Sequence, residues 1–187
     1  MVLGVLVVAL MAAPPVGDPA CVTSASAASL AKRASPLDSV SFSVGASRVK
    51  ICYGRPSARG RTMIGGQNVP LGRLWRTGAN EPTMIHTTGP VTLAGVQLRA
   101  GVYSLYTIPA AEEWEIIVNR SVEQWGDEGS YNTAVKKQEV GRGKAKVMKL
   151  DTHVEQFTIR PESKGGWTVL VLEWEKTRVV VPLEQSK

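Results

Sequence analysis

Residues 55–81 read RPSARGRTMIGGQNVPLGRLWRTGANE, and this stretch lies between two segments whose apolar residues alternate as in β-strands. The stretch itself has no apolar period. A connection of this length without regular structure is uncommon in a compact domain, and it is usually either functional or disordered. Its many apolar side chains argue against a solvated linker. We therefore predict an ordered, partly buried loop, which we call the central loop.

The charge of this region is one-sided, because residues 48–80 contain seven basic side chains and no acidic one. Six of the seven are arginines, whose planar guanidinium pairs with carboxylate or phosphate through two hydrogen bonds. One interpretation is structural: the guanidiniums donate to loop carbonyls, and Glu81 pairs with Arg76. The other is a surface that binds an anion or a sugar. The sequence leaves both open.

The segments around the central loop predict an all-β domain. Val40, Phe42 and Val44 alternate with serines, and a similar alternation at 49–53 predicts that the two strands form a hairpin. Strand-like segments recur at a spacing of about ten residues, as in a sandwich or barrel. We expect a single-domain antiparallel sandwich or flattened barrel of about nine or ten strands. Residues 167–174 and 178–183 are predicted to form a closing hairpin, and residues 121–132 a second long loop.

The amino terminus resembles an export signal. Residues 2–13 are almost wholly apolar, which is too short for a bilayer span but typical of the core of a signal peptide. Ala25-Ser26-Ala27 offers a cleavage site. We therefore predict a signal peptide at 1–27, a linker at 28–35 and a β domain at 36–185, in a protein exported to the periplasm or the cell exterior. No later segment is apolar enough to predict a membrane span.

The predicted cleavage site decides the expected state of the two cysteines. Cys21 precedes the predicted cleavage site, so it would be removed with the leader. Cys52 would then be the only cysteine of the mature chain, which excludes an intramolecular disulfide and predicts a free, buried thiol. The alternative is that Cys21 carries a lipid anchor after lipoprotein processing.

Several short motifs follow one another along the chain: YGRP at 53–56, WRTGANE at 75–81, AGVYSLYTIP at 100–109, QWG at 124–126 and WEKT at 174–177. Their order resembles that of the domain of unknown function 2911 family, small exported bacterial proteins. The resemblance covers roughly residues 34–183. It implies no established activity, and it provides no catalytic residues to transfer to this chain.

The residue types restrict the chemistry. The chain has only two histidines, His86 and His153, and neither has a second strong ligand at a familiar spacing, so no metal and no cofactor is predicted. The formal net charge of +6 favours anionic partners. Nucleic acid is not expected for an exported protein. No nucleophile motif occurs, and the sequence does not predict catalysis.

Binding is the better-supported hypothesis. If the two long loops meet, they would combine aromatic faces with a few polar groups, which suits a small polar or anionic, sugar-like ligand. The candidate residues are Arg55, Arg61, Trp75, Arg76, Asn80, Glu81, Trp125 and Tyr131. One alternative is a hydrolase that uses Glu81 and an acid of the 121–132 loop as paired carboxylates. Another is a structural envelope protein whose loops dock on a partner.

Overall fold

The structure, a computed structural model, describes residues 18–164 and 167–186. Its main feature is an antiparallel sheet of nine strands in the order β1-β2-β3-β6-β7-β8-β9-β4-β5. The strands are β1 (Leu37–Val44), β2 (Ser47–Gly54), β3 (Thr83–Thr87), β4 (Val91–Leu93), β5 (Val96–Leu98), β6 (Gly101–Ile108), β7 (Glu113–Asn119), β8 (Glu139–Lys164) and β9 (Trp167–Gln185). Two short helices, α1 (Ala27–Ala31) and α2 (Thr133–Lys136), and a 3₁₀ turn (Glu128–Ser130) complete the described chain.

The prediction of an all-β domain with two long loops is confirmed. β1 and β5 lie at the two edges of the order, so the described sheet is not closed by hydrogen bonds. Contacts of β5 with β8, and of β1 with β8 and β9, show that the sheet folds over a shared core. The predicted first hairpin is also confirmed, with Val40 opposite Ile51 and Phe42 opposite Val49.

The prediction of a closing hairpin at 175–177 is wrong. β9 runs without reversal through this position, and β8 pairs with it on both sides. Glu175 has a left-handed φ of 53°, and its carboxylate accepts hydrogen bonds from the backbone N–H groups of Met63 and Ile64 at 3.1 and 2.8 Å. The pairing register shifts there, so the strand bulges where the sequence indicated a turn. The sequence Gly165-Gly166 also predicts a hairpin tip, and this pair lies outside the described residues.

The central loop enters the core through Trp75. Its ring lies 5.1 Å from Phe157, 5.9 Å from Trp114 and 6.0 Å from Trp174, measured between ring centroids. The Trp75 backbone also exchanges two hydrogen bonds with Thr107 of β6. Burial of such a large aromatic side chain contributes strongly to stability, so the middle of this irregular loop is fixed as firmly as a strand.

Residues 18–36 form a second, largely irregular segment that contains the short helix α1, and we call this segment the strap. It is tied to the sheet by a disulfide between Cys21 and Cys52 of β2. The prediction of a free thiol at Cys52 is therefore wrong, because it assumed that Cys21 leaves with the signal peptide. A sulfur bonded to Cys52 cannot carry a lipid, so this structure also disagrees with lipid anchoring at Cys21. Residues 1–17 of the predicted leader lie outside the described residues.

Among the described residues, none of the helices has the length and the apolar character that a membrane crossing requires.

Candidate functional site

The two long loops meet in space. Gly126 of the second loop packs so closely on the central loop that a Cβ atom there would lie 2.6 Å from the Asn80 carbonyl oxygen. It would also lie 2.9 Å from the Pro82 nitrogen, which is backbone and cannot move aside. Glycine is thus required at the point where the loops touch.

The loops border a cavity of about 280 Å³, which we call the loop cavity. Its apolar wall includes Met63, Val69 and Trp75 from the central loop, and Trp174 from β9. Its polar lining residues are Ser35, Arg61, Asn68, Arg76, Asn80 and Glu128. A concave site with apolar walls and a few polar groups is the usual setting for a small ligand.

Arg76 supplies a half-buried positive charge to this cavity. Its Nη1 donates to the Asn80 carbonyl oxygen at 2.9 Å. Burial lowers the pKa of Arg76 from its ordinary value, while the nearby carboxylates of Asp127 and Glu128 act in the opposite direction. An arginine starts from so high a pKa that it stays charged at neutral pH, so the cavity always contains this cation.

Arg61 also lines the cavity, and its own loop holds the side chain. Its Nε donates to the Ala58 carbonyl oxygen at 2.9 Å, and its Nη2 donates to that of Ser57 at 3.0 Å. Arg59 likewise donates to the Ala34 carbonyl oxygen at 3.2 Å. The structural interpretation of the arginines is therefore confirmed for these side chains, since they satisfy loop carbonyls.

The backbone beside Arg76 is strained. Thr77 and Asn80 have left-handed φ angles of 59° and 67°, which is costly for a β-branched residue such as threonine. The Thr83 hydroxyl donates to the Thr77 carbonyl oxygen at 2.6 Å, and the Ala79 N–H donates to the Gly54 carbonyl oxygen at 3.2 Å. Conformations of this kind cost about 1–3 kcal/mol each and concentrate at functional sites.

Arg55 does not line the loop cavity. Its Nε donates to the Phe157 carbonyl oxygen at 3.2 Å and its Nη2 to the Thr158 hydroxyl at 3.0 Å, both in β8. It also forms an ion pair with Asp38 at 3.4 Å. This guanidinium joins β1 and β8 to the start of the central loop, and its role is structural.

Glu81 pairs with Arg33 of the strap, so the expected pairing with Arg76 is wrong. Arg33 donates from Nη1 and Nη2 to the two carboxylate oxygens at 2.6 and 2.8 Å, and the Thr23 hydroxyl donates to Oε1 at 2.6 Å. Burial alone would raise the pKa of Glu81, but the hydrogen bonds from Arg33 and Thr23 outweigh it and lower the pKa. No sequence pattern indicates this partner, because Arg33 lies in the predicted linker at 28–35.

Trp125 and Tyr131 lie away from the loop cavity. Trp125 is 42% exposed and borders a separate space of about 400 Å³ between the strap and the second loop, together with Glu81 and Glu123. Tyr131 packs on Tyr106 at 4.6 Å between ring centroids, and its hydroxyl donates to Glu139 at 2.7 Å. Burial raises the pKa of the Tyr131 hydroxyl.

The structure thus separates the eight candidates. Arg61, Trp75, Arg76 and Asn80 meet at one cavity, whereas the other four lie elsewhere. Sequence reasoning missed Asn68 and Trp174. Glu128 was considered only as an acid of the 121–132 loop for the hydrolase hypothesis, and Trp174 reaches the cavity from a distant strand without any local signal.

Within the described ranges, no group of three or more His, Cys, Asp or Glu residues is arranged to hold a metal ion.

In a comparison with known families, a family model described as "Protein of unknown function (DUF2911)" matches residues 35–183. No curated protein and no solved structure shows significant similarity to this chain.

Proposed function

The chain belongs to the DUF2911 family of proteins of unknown function, and from that premise we propose that it is an exported β-sheet module that binds a small polar or anionic, sugar-like ligand. The loop cavity is the proposed site. The proposal is drawn from the geometry of this chain, since the family brings no activity with it.

The observation that carries the proposal is the state of Arg76. This guanidinium is half-buried, yet within the described residues no carboxylate lies at ion-pair distance from it and its hydrogen bond goes to a single carbonyl. A guanidinium has five N–H donors in a fixed fork. The donors that the loop does not use match the two oxygens of a carboxylate or the paired hydroxyls of a sugar.

The rest of the cavity fits the same class of ligand. Asn68 and Asn80 lie in the lining and carry amides that both donate and accept hydrogen bonds. Trp75 and Trp174 give the wall its apolar part, against which the C–H groups of a sugar ring can pack. The strained backbone at Thr77 and Asn80 supports a binding role, because such strain is retained where the geometry is used.

The experiment compares Arg76→Ala with Arg73→Ala, a matched control in the same loop. Arg73 is exposed and does not line the cavity. We would titrate the protein by calorimetry with glucuronate, galacturonate, glucose and inorganic phosphate. We expect the uronates to bind more tightly than glucose, and Arg76→Ala to weaken their binding by about tenfold or more, because a charge-assisted pair is lost.

The proposal fails if none of these compounds binds, or if Arg76→Ala binds them as well as Arg73→Ala does. Tighter binding of phosphate than of the uronates would keep the site but exclude a sugar-like ligand. The unfolding midpoint of each variant, measured in parallel, separates loss of the site from loss of the fold.

Export is part of the proposal, and the Cys21–Cys52 disulfide supports it, since disulfides persist mainly in oxidising compartments. The intact mass of the protein recovered from a bacterial periplasm tests both points. We expect a chain that retains Cys21 and lacks the two thiol hydrogens. A mass that corresponds to cleavage after Ala27 would show that the mature protein has no such disulfide.

The state of Glu81 argues against the hydrolase hypothesis, although Glu81 shares its space with Glu123 of the second loop. A general acid needs a raised pKa, whereas Arg33 and Thr23 hold the pKa of Glu81 below its ordinary value. Both carboxylate oxygens of Glu81 already accept hydrogen bonds from Arg33, and Glu128 lines the loop cavity instead. Glu81 is better explained as the residue that fixes the strap.

A further inference from the structure

His86 is a buried polar side chain with no explained role in the fold. It lies in β3 and is only 5% exposed, and neither of its ring nitrogens has a hydrogen-bond partner among the described residues. Buried polar groups in native proteins nearly always have a partner, so an exception requires an explanation such as an unseen water or ligand. The loop cavity does not supply one, because His86 does not line it.

A second cavity, of about 230 Å³, adjoins this histidine. In the sheet, His86 lies opposite Lys50 of β2 and Val102 of β6, so these three side chains share one face. Asp18 and Pro19, at the start of the described strap, lie against the same cavity. We call this space the strap cavity.

The charges around the strap cavity leave one cation unpaired. Asp18 and Arg48 form an ion pair at 2.6 Å, so they largely neutralise each other. Lys50 has no carboxylate at ion-pair distance among the described residues. Burial, and secondarily the charge of Lys50, lower the pKa of His86, which makes its imidazole neutral at pH 7 with one nitrogen as donor and the other as acceptor.

We propose that the strap cavity binds a small carboxylate with an apolar body. The carboxylate would accept a hydrogen bond from the His86 imidazole and pair with the Lys50 ammonium, while Pro19 and Val102 contact the apolar part. A fully polar anion such as phosphate would leave its remaining oxygens against apolar wall, which is unfavourable. This site is separate from the loop cavity, and its proposal does not depend on the function assigned there.

The chain provides its own control for a test by nuclear magnetic resonance, because it has two histidines. His153 is 49% exposed in its side chain, contacts Glu155 at 3.2 Å, and does not line the strap cavity. Benzoate is the probe, with benzyl alcohol (the ring without the charge), acetate (the charge without the ring) and inorganic phosphate for comparison. The imidazole ¹⁵N–¹H correlations of both histidines are recorded during each titration of the full chain.

We expect benzoate to shift the His86 signals saturably and to leave those of His153 unchanged, with benzyl alcohol, acetate and phosphate binding at least about tenfold more weakly. Lys50→Gln should weaken benzoate binding by about tenfold, since the charged partner is lost. Lys149→Gln, at an exposed lysine of β8, should not change it. His86→Gln, which keeps an N–H donor, should bind better than His86→Phe.

Three results would overturn the proposal. The first is an absence of any His86 shift with benzoate, which would mean that water alone occupies the cavity. The second is an equal response of His86 and His153, which would indicate non-specific binding. The third is binding of phosphate or acetate as tight as that of benzoate, which would exclude the apolar contact. The wild-type titration needs no variant, so a failure of His86→Phe to fold does not affect these outcomes.

Discussion

The central loop and the strap are both long, irregular segments, yet they are held in opposite ways. The central loop is held mainly by packing and by hydrogen bonds: Trp75 is buried in the core, and Arg61 caps carbonyls within the same loop. The strap has no comparable buried side chain, and cross-links fix it, namely the Cys21–Cys52 disulfide to β2 and the ion pair between Arg33 and Glu81 of the central loop. Irregular chain can therefore be ordered either by packing or by a few bonds, and each solution fails under a different perturbation.

The close packing of the central loop on β2 predicts the largest effect. A Cβ atom at Gly54 would lie 1.9 Å from the Ala79 carbonyl oxygen. This oxygen belongs to the backbone, so it cannot move aside as a flexible side chain could. We expect Gly54→Ala to destabilise the fold by about 4 kcal/mol or more, and soluble yield and urea unfolding followed by tryptophan fluorescence measure it. Gly60→Ala is the control, because nothing lies near its Cβ position and only its φ of 71° opposes the change, at a cost of about 1 kcal/mol. Equal losses in the two variants would show that the central loop does not pack closely on β2.

The Cys21–Cys52 disulfide, which holds the strap, predicts the next largest effect. Cys21→Ser opens a cross-link between positions 31 residues apart. A loop of that size stabilises by about 3–4 kcal/mol through the entropy of the unfolded chain. Urea unfolding of the wild type with and without reductant measures the same quantity. The reduced wild type should unfold with the variant, and a variant as stable as the oxidised wild type would contradict the pairing.

The ion pair between Arg33 and Glu81 predicts a smaller effect that depends on pH. Both side chains of the Arg33–Glu81 pair are only about a tenth exposed, so Arg33→Ala leaves a buried carboxylate unpaired, which we expect to cost about 2–3 kcal/mol at pH 7. The pKa of Glu81 is lower in the folded state than in the unfolded chain. The stabilisation is therefore present above the unfolded pKa and is lost as the pH falls through the folded one. Unfolding at pH 7, 5 and 3 should show the difference from the wild type shrinking below about pH 4.

Arg48→Ala is the matched control for that series. Its ion pair with Asp18 also ties the strap to β2, but the two side chains are 56% and 36% exposed. Exposed pairs contribute little, so this variant should unfold close to the wild type at every pH. A loss as large as that of Arg33→Ala would mean that the strap depends on the number of its links and not on their burial.

The regular part of the fold could be predicted from the sequence, because alternation is a local property. The pairing of Val40 with Ile51 follows from the pattern of two adjacent segments. The course of β9 could not be predicted, since its irregularity at Glu175 depends on the N–H groups of Met63 and Ile64 more than a hundred residues earlier. A turn and a bulge look alike in sequence when the deciding partner is that distant.

The candidate site was predictable in part for the same reason. Arg61, Trp75, Arg76 and Asn80 belong to one loop, so they could be grouped from sequence alone. The different roles of the arginines could not be predicted. Arg61 uses its donors on loop carbonyls and Arg76 uses only one of them, and these hydrogen bonds depend on the path of the loop. The partner of Cys52 was missed because the Ala25-Ser26-Ala27 motif directed attention to cleavage and removed Cys21 from consideration.

The position of β4 in the sheet also determines the order in which the chain can fold. Val91 pairs with Gln185 of β9, near the end of the described chain, whereas β1 and β2 form a local hairpin. Contacts between residues so far apart in sequence form slowly, since a long loop must close first. β4 pairs locally with β5, but its other edge has no partner until β9 has been synthesised, and during that time this edge is open to pairing with another copy of the chain.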